Sequence, residues 1–420
     1  MNNLKVIKLG NNNHIYLQKN KKFKSIAINI VYKMKYDYKN ITAFNVLAKY
    51  LGNSCKDYPS IEQFNKYIDN LYGTSFGMKS EFVGTLFTFS VFANYVNPKF
   101  VKDDSLHELV VKLLHDSVYK PMFKDNIFDE ELFSICKENC MLDINSLNEY
   151  NLSFILRKLK AQLSSKNSSY ASSPYGCKYV LNRLDNKNII NYYNKLLTAP
   201  FDIYISGDFK YKDMINILKK YYGNKKSISF KYSVFNCVKQ KEYEPIVYKK
   251  SVSQSKIAIA YKIPVLFNDP RHYAFRIARL VLSGTLASKF GKVIREQMGL
   301  CYAISSTYSS YYGTFIVTTG VDSKNIDKVI KEVDNQIKQL QNGNLTDTEF
   351  NAAKQAILSD IYSIDDSIFG ILDMIKTYNN FNKTFDYEKE INNYKNVSKQ
   401  DVIEVSKLLS YCNVAILDKE

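Results

Sequence analysis

Two side chains seven residues apart, Arg295 and Tyr302, carry the clearest chemistry in this sequence. They lie in R-E-Q-M-G-L-C-Y-A-I-S-S-T-Y-S-S-Y-Y-G-T-F-I-V-T-T-G, from Arg295 to Gly320. A guanidinium offers a planar fork of N–H donors that suits a peptide carbonyl or a carboxylate. A phenol can donate a hydrogen bond to an oxygen on which negative charge develops, where stabilisation counts most. The pair can therefore hold and polarise a peptide without a metal of its own. The same residues also allow a plainer reading, in which Arg295 pairs with Glu296 or another acid and Tyr302 simply packs.

Such a pair needs a rigid mount. A helical pattern ends near Arg295, the chain turns at Met298-Gly299, and two alternating runs follow, Tyr302 to Tyr308 and Thr314 to Thr319. Joined across Ser309 to Gly313, they predict a helix feeding a β-hairpin. The outer edge of such a strand could pair with an extended peptide. R-E-x-x-G-L-x-Y entering a Ser/Tyr-rich hairpin resembles the Arg/Tyr substrate-binding signature of the insulinase/pitrilysin family of zinc metallopeptidases.

The remaining elements fit a chain built twice on one plan. Residues 4–18 and 23–34 read as strands, Ala43 to Leu51 and Ile61 to Leu71 as helices, and a hairpin-like pair of strands ends near Ala93. Leu106 to Val118 and a long stretch from Glu130 to Leu163 read as helical. A Ser-rich loop from Ser164 to Pro174, a helix from Lys187 to Leu197 and a strand from Phe201 to Ile205 close the first half. The second half runs through a strand at Lys256 to Lys262, a helix at Ala274 to Leu282, the hairpin, and helices at Ile326 to Leu340 and Thr348 to Tyr378. A helix at Lys399 to Leu409 and a strand at Asn413 to Leu417 end it.

Short matches recur in the same order, roughly 210 to 230 residues apart. They are Ala43-Phe44 with Ala274-Phe275, Gly84-Thr85 with Gly313-Thr314, Asp143-Ile144 with Asp360-Ile361, and Lys195 to Leu197 with Lys407 to Leu409. The expectation is an α+β fold of two homologous halves, 1–222 and 254–420, joined by a Lys/Ser-rich connector at 223–253. The resemblance implies duplicated peptidase-like domains folded into a clam-like chamber.

Active members of the family carry H-x-x-E-H on a helix of the first half, two zinc ligands with a glutamate that activates the metal-bound water. Aligning Tyr58-Pro59 with the family's later Tyr-Pro segment places Asn45, Ala48 and Lys49 where His, Glu and His would stand. Asp143 falls at the third ligand position. Asparagine is a poor zinc ligand, alanine offers no base and lysine repels the ion, so no metal is expected in this chain. The four histidines do not repair the site, since none lies between His14 and His107.

Other candidates are weaker. Cys136 and Cys140 could offer two thiolates, or be two buried small hydrophobes. His107 and His115 are not spaced i, i+4. No phosphate-binding glycine loop and no G-x-S-x-G elbow is present. The formal net charge of +17 admits nucleic-acid binding in principle, but the lysine clusters at 19–24 and 219–226 accompany no such motif, so no nucleic acid is expected. Absence of an apolar leader or of a membrane-length run, with seven cysteines in no disulfide pattern, points to a cytoplasmic chain with no membrane span.

The resemblance implies a division of labour known in two-chain members, where one chain carries zinc and the other does not. This chain is expected to be the non-catalytic subunit, inactive alone. It would bind peptide and supply Arg295 and Tyr302 to a homologous zinc-carrying partner. The alternatives are a peptidase-derived scaffold with no part in proteolysis and a standalone binding module.

Overall fold

The computed structural model describes residues 4–10, 12–125, 127–165, 167–235, 237–238 and 243–419. Residues 1–3 of the expected first half, and 236 and 239–242 of the expected connector, lie outside the described residues. By contact the chain divides into two compact units. The first comprises Met1–Asn145, Ser173–Ser233 and Ile364–Phe385; the second comprises Ser146–Ser172, Val234–Ser363 and Asp386–Glu420.

The first unit is built on a six-stranded sheet in the order Leu4–Lys8, His14–Lys19, Phe201–Gly207, Ser25–Lys35, Leu86–Val96, Ser75–Val83. Its neighbours are antiparallel except His14–Lys19 and Phe201–Gly207, which run parallel. The second unit has a five-stranded sheet in the order Cys301–Ser309, Thr314–Val321, Ser255–Lys262, Ser410–Lys419, Ile246–Lys250. Its last pair is again the parallel one. Read from the opposite end, this is the first sheet without its Leu4–Lys8 edge. The duplication is thus one of topology, not only of scattered dipeptides.

The repeated residues occupy corresponding places. Phe44 and Phe275 are both fully buried, on helices Tyr38–Leu51 and His272–Leu282. Gly84 and Gly313 turn the two hairpins with φ of 57° and 65°. At Gly313 a Cβ would also lie 2.9 Å from the Ile263 carbonyl oxygen, so glycine is required there twice over. Asp143 and Asp360 sit on the helices Glu130–Glu149 and Asp347–Ile364. Lys195 to Leu197 lie within a helix, whereas Lys407 follows the helix Lys399–Ser406 as its C-cap.

Central strands such as Phe201–Gly207 are buried along their whole length, so each sheet needs cover on both faces. In the first unit one face packs on a core that includes Phe44, Leu47, Phe87 and Phe89. The other face presents Ala27, Val31 and Tyr204, covered by Ile368, Ile371, Leu372 and Ile375 of the helix Ile368–Asn380. That i, i+3, i+4, i+7 spacing is one helical stripe. In the second unit Ile155, Leu159 and Leu163 of the helix Asn151–Leu163 cover Ala258, Ala260 and Ala415.

Both covering helices come from the opposite half of the sequence, which corrects the expected boundaries. The long helical stretches from Glu130 to Leu163 and from Thr348 to Tyr378 each break, at Tyr150 and at Asp365–Ser367, and each second piece belongs to the other unit. The single strand expected over 4–18 is likewise two strands, Leu4–Lys8 and His14–Lys19. The expected connector contributes the strand Ile246–Lys250. Helices Lys178–Arg183, Tyr211–Tyr222 and Tyr387–Lys395 were not anticipated. Among the described residues no helix is long and apolar enough to cross a membrane.

Candidate functional site

The helix Tyr38–Leu51 opens on Asp37, whose carboxylate accepts the Lys39 N–H at 2.9 Å. It carries Asn45, Ala48 and Lys49 toward neighbouring elements of the first unit. The Asn45 amide donates to the Pro174 carbonyl at 2.9 Å and accepts from the Ser80 hydroxyl. The Lys49 ammonium lies 3.0 Å from Asp143. The helix Glu130–Glu149 thus brings Asp143 to Lys49, and its carboxylate meets a lysine nitrogen.

Cys136 and Cys140 sit seven and three residues before Asp143 on the same helix, both 1% exposed. Burial pushes each thiol up to about 12, against a smaller opposing pull from Lys49. They are therefore protonated at neutral pH, the state that packs well and ligates poorly. Among the described residues no group of three or more His, Cys, Asp or Glu is arranged to hold a metal ion. The four histidines are dispersed, each with its own neighbour: His14 with Asp202, His107 with Tyr95, His115 with Asp116 and His272 with Tyr308. Asn45, Ala48, Lys49 and Asp143 do not fit zinc. A cation is already built in, and position 48 has no base.

In the second unit Arg295 stands on a π-helical segment, Phe290–Gln297. Its widened turn shows in the bond Met298 N–H to Val293 O at 2.9 Å, which spans five residues. Phe290 and Ile294 are buried and anchor it. Gly299, at φ 60°, turns the chain into the strand Cys301–Ser309. Arg295 donates to Glu296 at 2.7 Å, an exposed pair with side chains 38% and 51% accessible. Tyr302 is 91% exposed and, among the described residues, makes no hydrogen bond. Pairing with the neighbouring strand shifts register between Cys301 and Ile304, so Tyr302 sits at an irregular stretch of an outer strand.

One buried polar cluster escaped sequence reasoning. Asp202, 3% exposed, accepts from Lys33, from the His14 backbone at 3.1 Å and from Asn379 at 3.0 Å. Burial alone would raise its pKa, but His14 and Lys33 outweigh that and hold it below the usual carboxylate range. Tyr16 and Tyr204 join through the Asn379 amide, at 2.8 and 2.7 Å. The available signal was the charge inside apolar strand runs, F-D-I-Y-I-S and I-V-Y-K-M. The cluster ties the helix Ile368–Asn380 to the first sheet.

Comparison with known proteins adds relatives to this geometry. Residues 183–357 match the family model described as the peptidase M16 inactive domain. A Bacillus subtilis protein named "probable inactive metalloprotease YmfF" is 20% identical over 396 residues, which span 93% of this chain and 92% of that one. The crystal structure of a conserved protein from Enterococcus faecalis superposes with a TM-score of 0.91 at 21% identity, covering 100% of this chain and 99% of the other. That of a peptidase M16 inactive domain from Pseudomonas fluorescens superposes at 0.81 and 14% identity, covering 100% and 98%.

Proposed function

The chain belongs to the M16, insulinase-type peptidase family as a relative of its inactive members, and from that premise we propose that it is the non-catalytic subunit of a two-chain zinc peptidase. In this reading it binds peptide and presents Arg295 and Tyr302 to the active site of a homologous chain carrying H-x-x-E-H. The zinc, general base and water belong to that partner.

The observation that carries the reading is an asymmetry. In the first unit Lys49 is ion-paired to Asp143, residues that the resemblance puts in the metal position, while Tyr302 in the second unit stands 91% exposed on an outer strand. An extended peptide would pair along the open edge of Cys301–Ser309, held by main-chain bonds that ignore sequence. Tyr302 would donate to the scissile carbonyl oxygen as charge develops there. Arg295 would exchange Glu296 for a substrate carbonyl or carboxylate, at small cost because an exposed ion pair contributes about 0–1 kcal/mol.

The Arg295–Glu296 pair is also the observation that favours the second reading, a peptidase-derived scaffold in which the arginine is simply satisfied on the surface. Co-expression with a homologue bearing H-x-x-E-H separates the two. The proposed function expects a stable complex whose peptide hydrolysis falls when Arg295 or Tyr302 is replaced. A complex whose activity ignores both replacements is a scaffolded one.

A further inference from the structure

A cleft of about 410 Å³ in the first unit lies on another set of residues, and the proposed function does not use it. The helix Lys178–Arg183, the helix Asn186–Thr198 and the start of Tyr38–Leu51 line it. Its charged lining residues are Lys39, Arg183 and Lys195, and no carboxylate lines it. None of the three cations has an ion-pair partner among the described residues, whereas Lys49, Lys112 and Lys289 each have one. The nearest acids in sequence are Asp37 and Asp185; both cap helix starts, and Asp37 also lies near enough to the Tyr192 phenol to add to the upward pKa shift that burial causes. Asp37 accepts the Lys39 N–H at 2.9 Å; Asp185 accepts those of Lys187 at 3.0 Å and Asn188 at 2.7 Å.

The cations are also oriented. The Arg183 guanidinium lies 3.6 Å from the ring centre of Tyr179 and donates to that residue's carbonyl at 3.3 Å. The Lys195 ammonium lies 4.9 Å from the ring centre of Tyr192. Arginine stacked on an aromatic face keeps its remaining N–H donors in one plane, ready for a bidentate oxyanion. The Asn191 amide, also in the lining, adds neutral donors. A second cleft of about 530 Å³, in the other unit, makes the contrast: there Asp334 neutralises Lys338 at 2.6 Å, and the lining has no such surplus.

We propose that Lys39, Arg183 and Lys195 form a binding site for a small ligand bearing a di- or triphosphate group. The cleft is within the size range of small-molecule sites, and three cations lining one cleft suit several negative charges on adjacent oxygens. The shared chemistry is the phosphate chain, which inorganic triphosphate and a nucleoside triphosphate both present.

Calorimetric titration of the full chain with inorganic triphosphate and with ATP, at low and at physiological salt, tests this. Binding at one site per chain, weakened about tenfold or more by Arg183→Gln and further by Lys39→Gln with Lys195→Gln, is the expected result. ATP tighter than triphosphate would assign the base to the tyrosine wall; equal affinity would assign the site to the phosphates alone. Lys331→Gln with Lys338→Gln, in the other cleft, should change nothing. Three results would each overturn the proposal: no saturable binding, affinity indifferent to all three substitutions, or a glutamate-rich peptide bound more tightly than either phosphate. All the altered side chains are charged surface groups, so circular dichroism should show folded variants throughout.

Discussion

Lys49 puts a fixed positive charge on the helix Tyr38–Leu51 and gives Asp143 a partner. Because the pair is 32% and 42% exposed, its worth is small. Lys49→Ala should lower stability by no more than about 1 kcal/mol in urea unfolding. The chain should also take up no stoichiometric zinc after dialysis against the metal, as read by elemental analysis. The thiols nearby give a sharper test. Exposed Cys237 should react with a thiol reagent at pH 8, while Cys136 and Cys140 stay silent until the protein unfolds. Their folded pKa lies above the unfolded value near 9, so the stability they lend is complete below that pH. It is lost as pH climbs toward about 12, and unfolding midpoints should fall over that window. That Asn45, Ala48 and Lys49 offer no zinc ligand and no base is legible in the sequence, because ligand chemistry is a matter of residue type. The Asn45 partners Pro174 and Ser80 are not, since a hydrogen bond across 35 to 129 residues leaves no local mark; Asp143 is legible as a candidate acid but not as the partner of Lys49.

The helix Ile368–Asn380 shows how an element is held by two different forces. Its stripe Ile368, Ile371, Leu372 and Ile375 buries apolar surface on the first sheet, and Asn379 enters the polar cluster around Asp202. Leu372→Ala should cost about 2–4 kcal/mol through lost burial and the cavity left behind. Asp202→Ala should cost about 3–5 kcal/mol, because it strands the Lys33 charge in a buried site; Asp202→Asn, which keeps a polar partner, should cost less. Urea midpoints of the variants check both. Helical periodicity alone identifies this element as amphipathic, and the sequence reading did find the stretch. It could not see the break at Asp365–Ser367, where Ser367 caps a new helix by accepting the Gly370 N–H at 3.1 Å. Nor could it see which sheet the stripe covers, since every apolar sheet face offers the same attraction. The helical pattern ending near Arg295 gives no sign that Phe290–Gln297 is π-helical; Phe290 and Ile294 are simply buried in the core there.

Duplication explains why the chain order and the compact units disagree. Each half provides one helix that completes the other half's sheet, so neither half carries its own full core. A fragment ending at residue 222 leaves Ala27, Val31 and Tyr204 uncovered, and should be aggregation-prone or lack a cooperative transition by calorimetry. Adding the remaining residues as a separate chain should restore folding. The repeated dipeptides made two copies legible; the exchange of helices was hidden because it changes no residue type, only destination. The proposed division of labour rests on the same two-copy plan, with Lys49 ion-paired to Asp143 in one unit and Tyr302 exposed in the other. The most direct test is peptide hydrolysis by this chain with and without a homologue bearing H-x-x-E-H. The account predicts no turnover by the chain alone, turnover by the pair, and a loss of about 10²-fold in kcat with Tyr302→Phe in an intact complex. Hydrolysis by the isolated chain, or a pair whose rate ignores both Tyr302→Phe and Arg295→Ala, would contradict it.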